Sequence, residues 1–391
     1  MKIKTLKPSY MDEFSCIADS CEDTCCGGWG IQVDKKTFKE YNKLKKKSKK
    51  DKDFFTNNII KNNHSKNQFD FGVIRLDVNG NCAFLNNDRL CSIVLEYGAD
   101  ALCETCKKFP RQFSYYKSSN IQEVSLSSAC PEATRKIIGN NKKISFNVSE
   151  ENKFNLLSYV QNNDSSSLDL YAFEIRMTII KILQSELYLL KEKIQLVGLL
   201  CNKLIKEKNI HFVPQLLIDF ESVLQTKINI PRESLNSKFS FDLMQLIIST
   251  KRSTNIKFNS YIKDVSEIIG INEDEFNKMK IELKDIDDKV NDIYKFSLEN
   301  YLVNYVYKNN FPMKNNDLVY NYYLFVIHFS LIKLMLMAQF KKNGGISKDT
   351  LVGVIYSVGR ALEHDSKYFI SIISEMKIQN LYSIQHAMLI N

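Results

Sequence analysis

The sequence predicts an α+β, cysteine-rich metal-binding domain at residues 1–145, followed by a mainly α-helical domain at residues 146–391. Nine of the ten cysteines lie within the first 130 residues, which places a thiol-rich centre in that part of the chain. Glycine and proline number only 13 and 6, too few for the turns of a many-stranded β protein. With 391 residues, 44% of them apolar and 25% charged, the chain can form two globular domains.

Short elements of both kinds are predicted in the first domain. Asp34 is placed to cap a helix that ends near Lys45. Residues 69–78 alternate between apolar and polar and lead into Asn79-Gly80, which predicts a strand and a hairpin turn. The other predicted elements are a loop or irregular helix at 45–67, a strand at 82–85, a helix at 90–108 with a break near Gly98, a hairpin of strands 112–116 and 122–126, and a helix from Pro131 to Ile138.

The sequence becomes helical in pattern after residue 150. Apolar residues at helical spacing predict a long amphipathic helix at 168–193. Further helices are predicted at 195–208, 213–227, 238–250, 258–269, 273–284, 286–308, 317–341, 347–360 and 362–376. No fixed repeat period is evident, so we expect an irregular all-helical domain rather than a solenoid.

The N-terminal sequence predicts a cytoplasmic protein. No apolar run follows the first lysines, so a secretory signal peptide is not expected. Without export, clustered cysteines indicate metal binding or redox chemistry rather than a disulfide framework. The most apolar stretch, 318–340, is interrupted by polar residues and Lys333, which predicts a buried helix and no transmembrane segment. Peripheral association with a membrane stays open as an alternative.

The basic run from Lys43 to Lys52 accounts for much of the net charge of +9. Such a run can bind nucleic acid or an acidic protein. We favour the simpler interpretation, a solvated helix end that leads into a loop, and expect no nucleic-acid partner.

Nine cysteines are the candidate metal ligands. His64 is the only histidine in the same region, so a site with two cysteines and two histidines is not available. Soft thiolates select zinc, Cu(I) or iron–sulfur clusters. The candidate ligands are Cys16, Cys21, Cys25, Cys26, Cys82, Cys91, Cys103, Cys106 and Cys130.

Three interpretations of these thiols remain open: an iron–sulfur cluster, which we favour, structural zinc, and unligated or redox-active thiols. Cys103 and Cys106 have a spacing typical of joint ligation. Nine thiols exceed the needs of one four-ligand site, so a second metal centre is possible. The sequence lacks a Gly-x-Gly-x-x-Gly loop, a P-loop and a Gly-x-Ser-x-Gly motif, which argues against dinucleotide, nucleotide and hydrolase sites of those types.

The spacing of these motifs resembles a known family. Cys21-x3-Cys25-Cys26-Gly, Cys82-x-Phe-Leu, Cys91-Ser-Ile and Cys106-x2-Phe-Pro-Arg are similar to the cysteine-rich zinc/iron-chelating domain. The longer pattern resembles the flagellin lysine N-methylase family. It adds Tyr10-x3-Phe14-x-Cys16, Glu22-Asp-Thr-Cys-Cys-x-Gly-Trp29-x-Ile31-x2-Asp34, Ser128-x-Cys130-Pro-Glu-Ala, Glu299-Asn-Tyr-Leu-Val-Asn304 and Phe311-Pro312.

The resemblance implies an enzyme that transfers methyl groups from S-adenosylmethionine to flagellin lysines in the cytosol, with a [4Fe–4S] cluster on these cysteines. Glu299, Asn300 and Tyr301 are polar residues on an otherwise apolar helix and are our candidates for a substrate or cofactor pocket, although interhelical hydrogen bonds would also explain them. Trp29 is a further candidate that could instead pack around the metal centre. The rival interpretations are a non-enzymatic zinc- or iron-binding protein and a metal-stapled interaction module.

Overall fold

The computed structural model describes residues 2–65, 67–139, 141–154, 159–161, 167–230, 237–249, 255–270, 272–314, 317–363 and 366–390. The strands are β1 (Lys2–Pro8), β2 (Gln32–Val33), β3 (Ile59–Lys61), β4 (Gly72–Ile74), β5 (Arg111–Tyr116), β6 (Ile121–Leu126), β7 (Phe146–Asn152) and β8 (Tyr159–Val160). The helices are α1 (Lys35–Leu44), α2 (Lys49–Asn58), α3 (Ser92–Tyr97), α4 (Glu104–Lys108), α5 (Pro131–Ile138), α6 (Ala172–Leu183), α7 (Leu190–Lys206), α8 (Val213–Val223), α9 (Ser237–Ser249), α10 (Ile256–Ile269), α11 (Glu273–Ile293), α12 (Lys295–Lys308), α13 (Leu318–Asn343), α14 (Lys348–Leu362), α15 (Ser366–Ile378) and α16 (Ile384–Met388). The predicted fold class, α+β and then mainly helical, is confirmed.

A five-stranded sheet has the order β7-β1-β6-β5-β8. The predicted hairpin is present as β5 and β6, which pair antiparallel from Arg111–Leu126 to Tyr116–Ile121. Strands β1 and β7 were not predicted; β1 lies parallel to β6 and antiparallel to β7. Along β1, the buried side chains of Ile3 and Thr5 alternate with exposed lysines, which is the period-two pattern of a strand.

A smaller sheet, with the order β2-β4-β3, supports the cysteine-rich segment. The carboxylate of Asp34 accepts a hydrogen bond from the amide of Thr37 at 2.9 Å, so the predicted cap of α1 is confirmed. Only β4 forms within the predicted strand at 69–78, and the predicted strand at 82–85 is reduced to a bridge between Leu76 and Cys82. Backbone pairing is local there because the chain turns repeatedly to bring cysteines together.

The long helix predicted at 168–193 is wrong. The chain forms a 3-10 turn at Leu168–Tyr171, then α6, and a separate helix α7 after a break. At the break, the Gln184 side chain donates a hydrogen bond to the carbonyl of Ile144 at 2.8 Å. The Glu192 carboxylate accepts from the amide of Leu189 at 2.8 Å and so begins the new helix. These polar contacts interrupt a sequence that is amphipathic on both sides of the break.

Helix α13 is the one described helix that is long and apolar enough to cross a membrane by length and composition. The most apolar window of this helix is 83% buried inside the protein. Core helices of soluble proteins can be equally long and apolar. Its buried faces contact α7, α10, α11 and α14, as expected for the central helix of the body.

The basic run from Lys43 to Lys52 spans the end of α1, a turn and the start of α2. Lys43 pairs with Glu40 at 2.9 Å, and Lys50 pairs with Glu96 at 3.2 Å. The run is therefore a solvated helix end, as predicted, but it leads through a turn into α2 and not into a loop.

Two hydrophobic cores organise the described residues. The smaller core contains buried side chains between Ile31 and Cys103, including Phe55 and Phe84. The larger core combines the five-stranded sheet with the helices, from Leu6 to Ala387. The predicted boundary between residues 145 and 146 stays a prediction.

A fully buried ion pair joins the sheet to the helices of the larger core. The guanidinium of Arg176 on α6 pairs with the carboxylate of Glu123 on β6, and both side chains are almost completely buried. Arg176 also donates to the side-chain oxygen of Asn310 at 3.3 Å. Breaking such a pair leaves a charge without its counter-ion in the core.

We therefore expect Arg176→Met to lower the free energy of unfolding by about 3–5 kcal/mol. Lys181→Met on the same helix is the matched control, because Lys181 is 54% exposed where it pairs with Glu221. That control should cost less than about 1 kcal/mol. Urea denaturation followed by circular dichroism measures both values. Equal losses of unfolding free energy would show that the buried pair contributes no more to stability than the exposed one.

Candidate metal centre and adjoining cavity

Five thiols gather around the smaller core. Cys82 and Cys103 are buried in it, and Cys26, Cys91 and Cys106 pack against it while partly exposed. These five cysteines are called the inner thiol group below. Their thiolates are close enough to repel one another. The charges of Cys82 and Cys91 act to raise the pKa of Cys26, and those of Cys26, Cys82 and Cys103 act to raise the pKa of Cys106.

Three further thiols form an outer group, made up of Cys21, Cys25 and Cys130. Cys21 and Cys25 both raise the pKa of Cys130, although its burial is the larger cause and brings the value to about 12. The two groups meet at the adjacent residues Cys25 and Cys26, whose sulfur atoms are 4.0 Å apart. Cys16 is exposed, and all ten cysteines are free thiols.

Backbone contacts bring the inner cysteines together. The amide of Cys82 donates to the carbonyl of Cys26 at 2.7 Å, and a neighbouring contact joins the amide of Gly28 to the carbonyl of Gly80 at 2.9 Å. A bridge between Leu85 and Cys91 closes the next loop. Gly28 and Gly80 both have positive φ values, 82° and 80°, which only glycine adopts easily.

Three of the cysteines occupy the N-caps of helices. Cys91 caps α3, Cys103 caps α4, and Cys130 caps α5. The sulfur of Cys130 accepts a hydrogen bond from the amide of Ala133 at 3.5 Å. Amides at a helix N-terminus favour the thiolate, which is the form that binds metal.

Hydrogen bonds between neighbouring thiols separate their pKa values. The contact between Cys25 and Cys26 raises the pKa of Cys25 and lowers that of Cys26. In the same way, the contact between Cys103 and Cys106 lowers the pKa of Cys103 and raises that of Cys106. Burial raises the pKa of Cys82 to about 11. Full ionisation of the group would therefore need a bound cation to offset the negative charge.

The side chain of Trp29 lies beside these thiols. Its indole nitrogen donates to the carbonyl of Cys25 at 3.0 Å, and its ring centroid is 5.6 Å from that of Phe109. The contacts place Trp29 in the shell around the cysteines rather than in the helical body.

The last turn of α14 connects the cysteine loops to the helical body. The guanidinium of Arg360 pairs with Asp23 at 2.6 Å, between Cys21 and Cys25, and also donates to the carbonyl of Thr24. A Cβ atom on Gly359 would lie 2.9 Å from the amide nitrogen of Ala129, next to Cys130. The helix and the loop that carries Cys130 are therefore in backbone contact.

Beside Arg360 at the end of the same helix, the carboxylate of Glu363 binds two hydroxyls and an ammonium. The donors are the hydroxyls of Ser127 at 2.7 Å and Ser128 at 3.1 Å, and the ammonium of Lys308 at 2.6 Å. Glu363 thus ties the loop before Cys130 to α12.

A cavity of about 280 Å³ lies beneath this junction. Ser128 and Glu363 line one side, and Tyr301 and Tyr305 of α12 line another. His328 of α13 contributes its imidazole to the wall.

The structure separates the three residues predicted together at 299–301. Tyr301 lines the cavity. The carboxylate of Glu299 instead pairs with the ammonium of Lys193, and both side chains are buried. The amide of Asn300 donates to the carbonyl of Lys142 at 2.8 Å, and its oxygen accepts from the amide of Ile144 at 3.2 Å.

Sequence reasoning did not identify Lys308, His328 or Glu363 as site residues. They lie on three different elements and carry no local motif, and a single histidine on an apolar helix is usually a core residue. Only the packing of α12, α13 and α14 brings them to one cavity.

Comparison with known proteins finds a matching family and several relatives. The model of the FliB lysine N-methylase C-terminal domain matches residues 176–390. The chain is 27% identical to a lysine-N-methylase of Salmonella typhimurium, over 94% of this chain and 93% of that protein. It is 26% identical to a lysine-N-methylase of Salmonella choleraesuis over the same shares. No solved structure matches the chain.

A third relative covers mainly one part of the chain. The flagellar biosynthetic protein FliU of Salmonella muenchen is 37% identical over 43% of this chain and 97% of its own length. The family model covers more than half of the residues, and the two methylases span nearly the whole chain. The protein is therefore a lysine methyltransferase. More particularly, it belongs to the FliB lysine N-methylase family, as the cysteine motifs predicted.

The contact between α14 and the Ser128–Cys130 loop should make Gly359 intolerant of a side chain. Alanine at this helical position gains about 1 kcal/mol in helix propensity, but the clash with backbone atoms costs about 1–3 kcal/mol. We expect Gly359→Ala to lower the melting temperature in thermal unfolding. Gly345→Ala, where a Cβ would meet no atom within 4 Å, is the control and should leave it unchanged. A Gly359→Ala protein as stable as the control would contradict the close contact.

Proposed function

We propose that this methyltransferase transfers methyl groups from S-adenosylmethionine to lysine side chains of flagellin. The observation that carries the proposal is the match of this chain to two lysine-N-methylases over 94% of its own length, together with the family match at residues 176–390. The relative named as a flagellar biosynthetic protein supports flagellin as the substrate. S-adenosylmethionine supplies an electrophilic methyl group, and a lysine amine accepts it only in the neutral form.

We further propose that the inner thiol group holds a [4Fe–4S] cluster. Among the described residues, no group of three or more His, Cys, Asp or Glu side chains is arranged to hold a single metal ion. A tetrahedral zinc ion with Zn–S bonds of about 2.3 Å needs its thiolates within about 3.8 Å of one another. In a cluster each thiolate binds a different iron, so the ligands stand farther apart. Five gathered thiols supply more than the four soft ligands that a cluster needs, which is what supports the proposal.

The outer thiol group is the candidate for a second metal centre. The charge of Arg360 lowers the pKa of Cys25 in this group, although the contact with Cys26 and burial outweigh it and raise that pKa. The proposal places the protein in the cytoplasm, where thiols stay reduced.

Removing one inner thiol should reduce the bound cluster. We expect Cys103→Ala, purified without oxygen, to carry less iron and sulfide per chain and to show weaker visible absorbance than the unmodified protein. Cys201→Ala is the matched control, because Cys201 is also fully buried but lies in α7 within the larger core. The control should keep its iron and sulfide.

Two results would overturn these proposals separately. A colourless protein with stoichiometric zinc would exclude the cluster. Methyl transfer is measured by mass spectrometry of flagellin after incubation with S-adenosylmethionine. If metal-replete protein leaves flagellin unmodified, the proposed substrate is wrong.

A further inference from the structure

The cavity beneath the α14 junction has an aromatic wall with an imidazole inside it. The rings of Tyr301 and Tyr305 are 6.4 Å apart, and that of Tyr305 is 5.2 Å from the imidazole of His328. On its other face, the imidazole stacks on Phe369 at 4.7 Å. A row of rings of this kind accommodates an apolar chain that ends in a polar group.

The imidazole of His328 has one nitrogen available to a ligand. Its Nδ1 lies 2.8 Å from the carbonyl of Leu324, which can only accept, so Nδ1 carries the proton. In the neutral ring, Nε2 is then an acceptor, and no described residue donates to it. Burial, with a smaller contribution from the charge of Lys308, lowers the pKa of His328 to about 4, so the ring is neutral at pH 7.

The charged groups around the imidazole sum to a positive value. Lys308 of α12 and Lys314 of the following loop line the cavity, together with Glu363. The Glu363 carboxylate already accepts from Lys308 and two serine hydroxyls. The other titratable groups that face the cavity are the hydroxyls of Tyr301, Tyr305 and Tyr320; burial raises the pKa of each, so they are uncharged at pH 7.

We propose that this cavity receives the side chain of the target lysine as a neutral amine, which donates one N–H to Nε2 of His328. The inference rests on the proposed function and names the site where the substrate binds. The net positive charge of Lys308, Lys314 and Glu363 and the desolvation of the bound side chain both oppose an ammonium, so the cavity lowers the pKa of the incoming lysine. The aromatic wall packs against its four methylene groups. His328 acts as a neutral acceptor that orients the amine.

The amine lone pair is then free to attack the sulfonium methyl group. The N–C bond forms as the C–S bond breaks, and the electron pair of the broken bond goes to sulfur. The positive charge moves from sulfur to the methylated nitrogen. For the next methyl transfer, this ammonium loses its proton to solvent before the amine binds again in neutral form.

The pH dependence distinguishes this role from that of a general base. If the free lysine binds in its neutral form, log(kcat/KM) should rise with unit slope between about pH 7 and pH 9, towards a lysine pKa of about 10.4. A histidine that took the proton from an incoming ammonium would instead give a kcat/KM that is level over this range, because the pKa of His328 is about 4 and the lysine would enter as the charged form. We expect the unmodified enzyme to show the slope and not the level profile.

Variants of His328 test the acceptor directly. His328→Asn can keep the bond to Leu324 but loses the acceptor at Nε2, and should reduce kcat/KM for flagellin about tenfold. His328→Gln can place an amide oxygen near the position of Nε2 and should recover most of that loss. Isothermal titration with S-adenosylmethionine should give the same affinity for both variants as for the unmodified protein.

A second variant, at a residue outside the hydrophobic core, tests the charge of the cavity. Lys314 is exposed at the rim of the cavity, and Lys314→Met should lower kcat at saturating flagellin more at pH 7 than at pH 9, because one of the charges that favour the neutral amine in the bound complex is gone. Its kcat/KM, which depends on the free lysine, should keep the unit slope. Lys278→Met, on the exposed side of α11, is the charge-matched control and should have no such effect.

Each other outcome overturns the inference in a recognisable way. An active enzyme whose His328→Asn variant keeps the full kcat/KM, and whose Lys314→Met variant keeps the unmodified pH profile of kcat, excludes the cavity as the lysine site. Loss of S-adenosylmethionine binding in either variant would assign the cavity to the carboxylate of that molecule instead. An unmodified, metal-replete protein without activity on flagellin overturns the proposed function as well as this inference.

Discussion

The last turn of α14 is the constraint on which the arrangement of the site depends. Gly359 lets the helix approach the backbone of Ala129, Arg360 pairs with Asp23, and Glu363 binds the hydroxyls that precede Cys130. Residues 360 and 363 are neighbours on a helix surface. One turn of the helix therefore contacts both the thiol loop and the cavity wall. Neither the loop that contains Asp23 nor the loop before Cys130 has enough apolar residues of its own to fix this geometry.

The larger core contains charges that hydrophobic packing alone would not require. Arg176 pairs with Glu123, and Lys193 pairs with Glu299, with both pairs removed from water. The desolvation of such pairs is comparable to their attraction, so they add little net stability. They do oppose incorrect packing, because any shift of α6 or α7 leaves a buried charge unpaired. Glu299 was a candidate pocket residue because it is polar on an otherwise apolar helix. In the structure its carboxylate pairs with the ammonium of Lys193 on α7.

Local patterns predicted the parts of the fold that depend on local interactions. The Asp34 cap, the β5–β6 hairpin and the helix after Cys130 follow from short-range hydrogen bonds and turn residues, and each is confirmed. The break before α7 was missed because it depends on Gln184 reaching Ile144, which is distant in sequence. The cysteines were found from their spacing, whereas their division into two groups is set by how the loops pack.

The cavity was beyond sequence reasoning for a related reason. A lone histidine on an apolar helix is usually a core residue, and His328 is indeed buried. Its chemistry follows from neighbours on other elements: Leu324 fixes the tautomer, while Lys308 and burial keep the ring uncharged. Glu363 binds Lys308 and also the serines next to Cys130. The cavity and the outer thiol group therefore share a single set of hydrogen bonds, and a displacement of the Cys130 loop would also move the counter-ion of Lys308. The charge of the cavity thus depends on the fold of the cysteine segment.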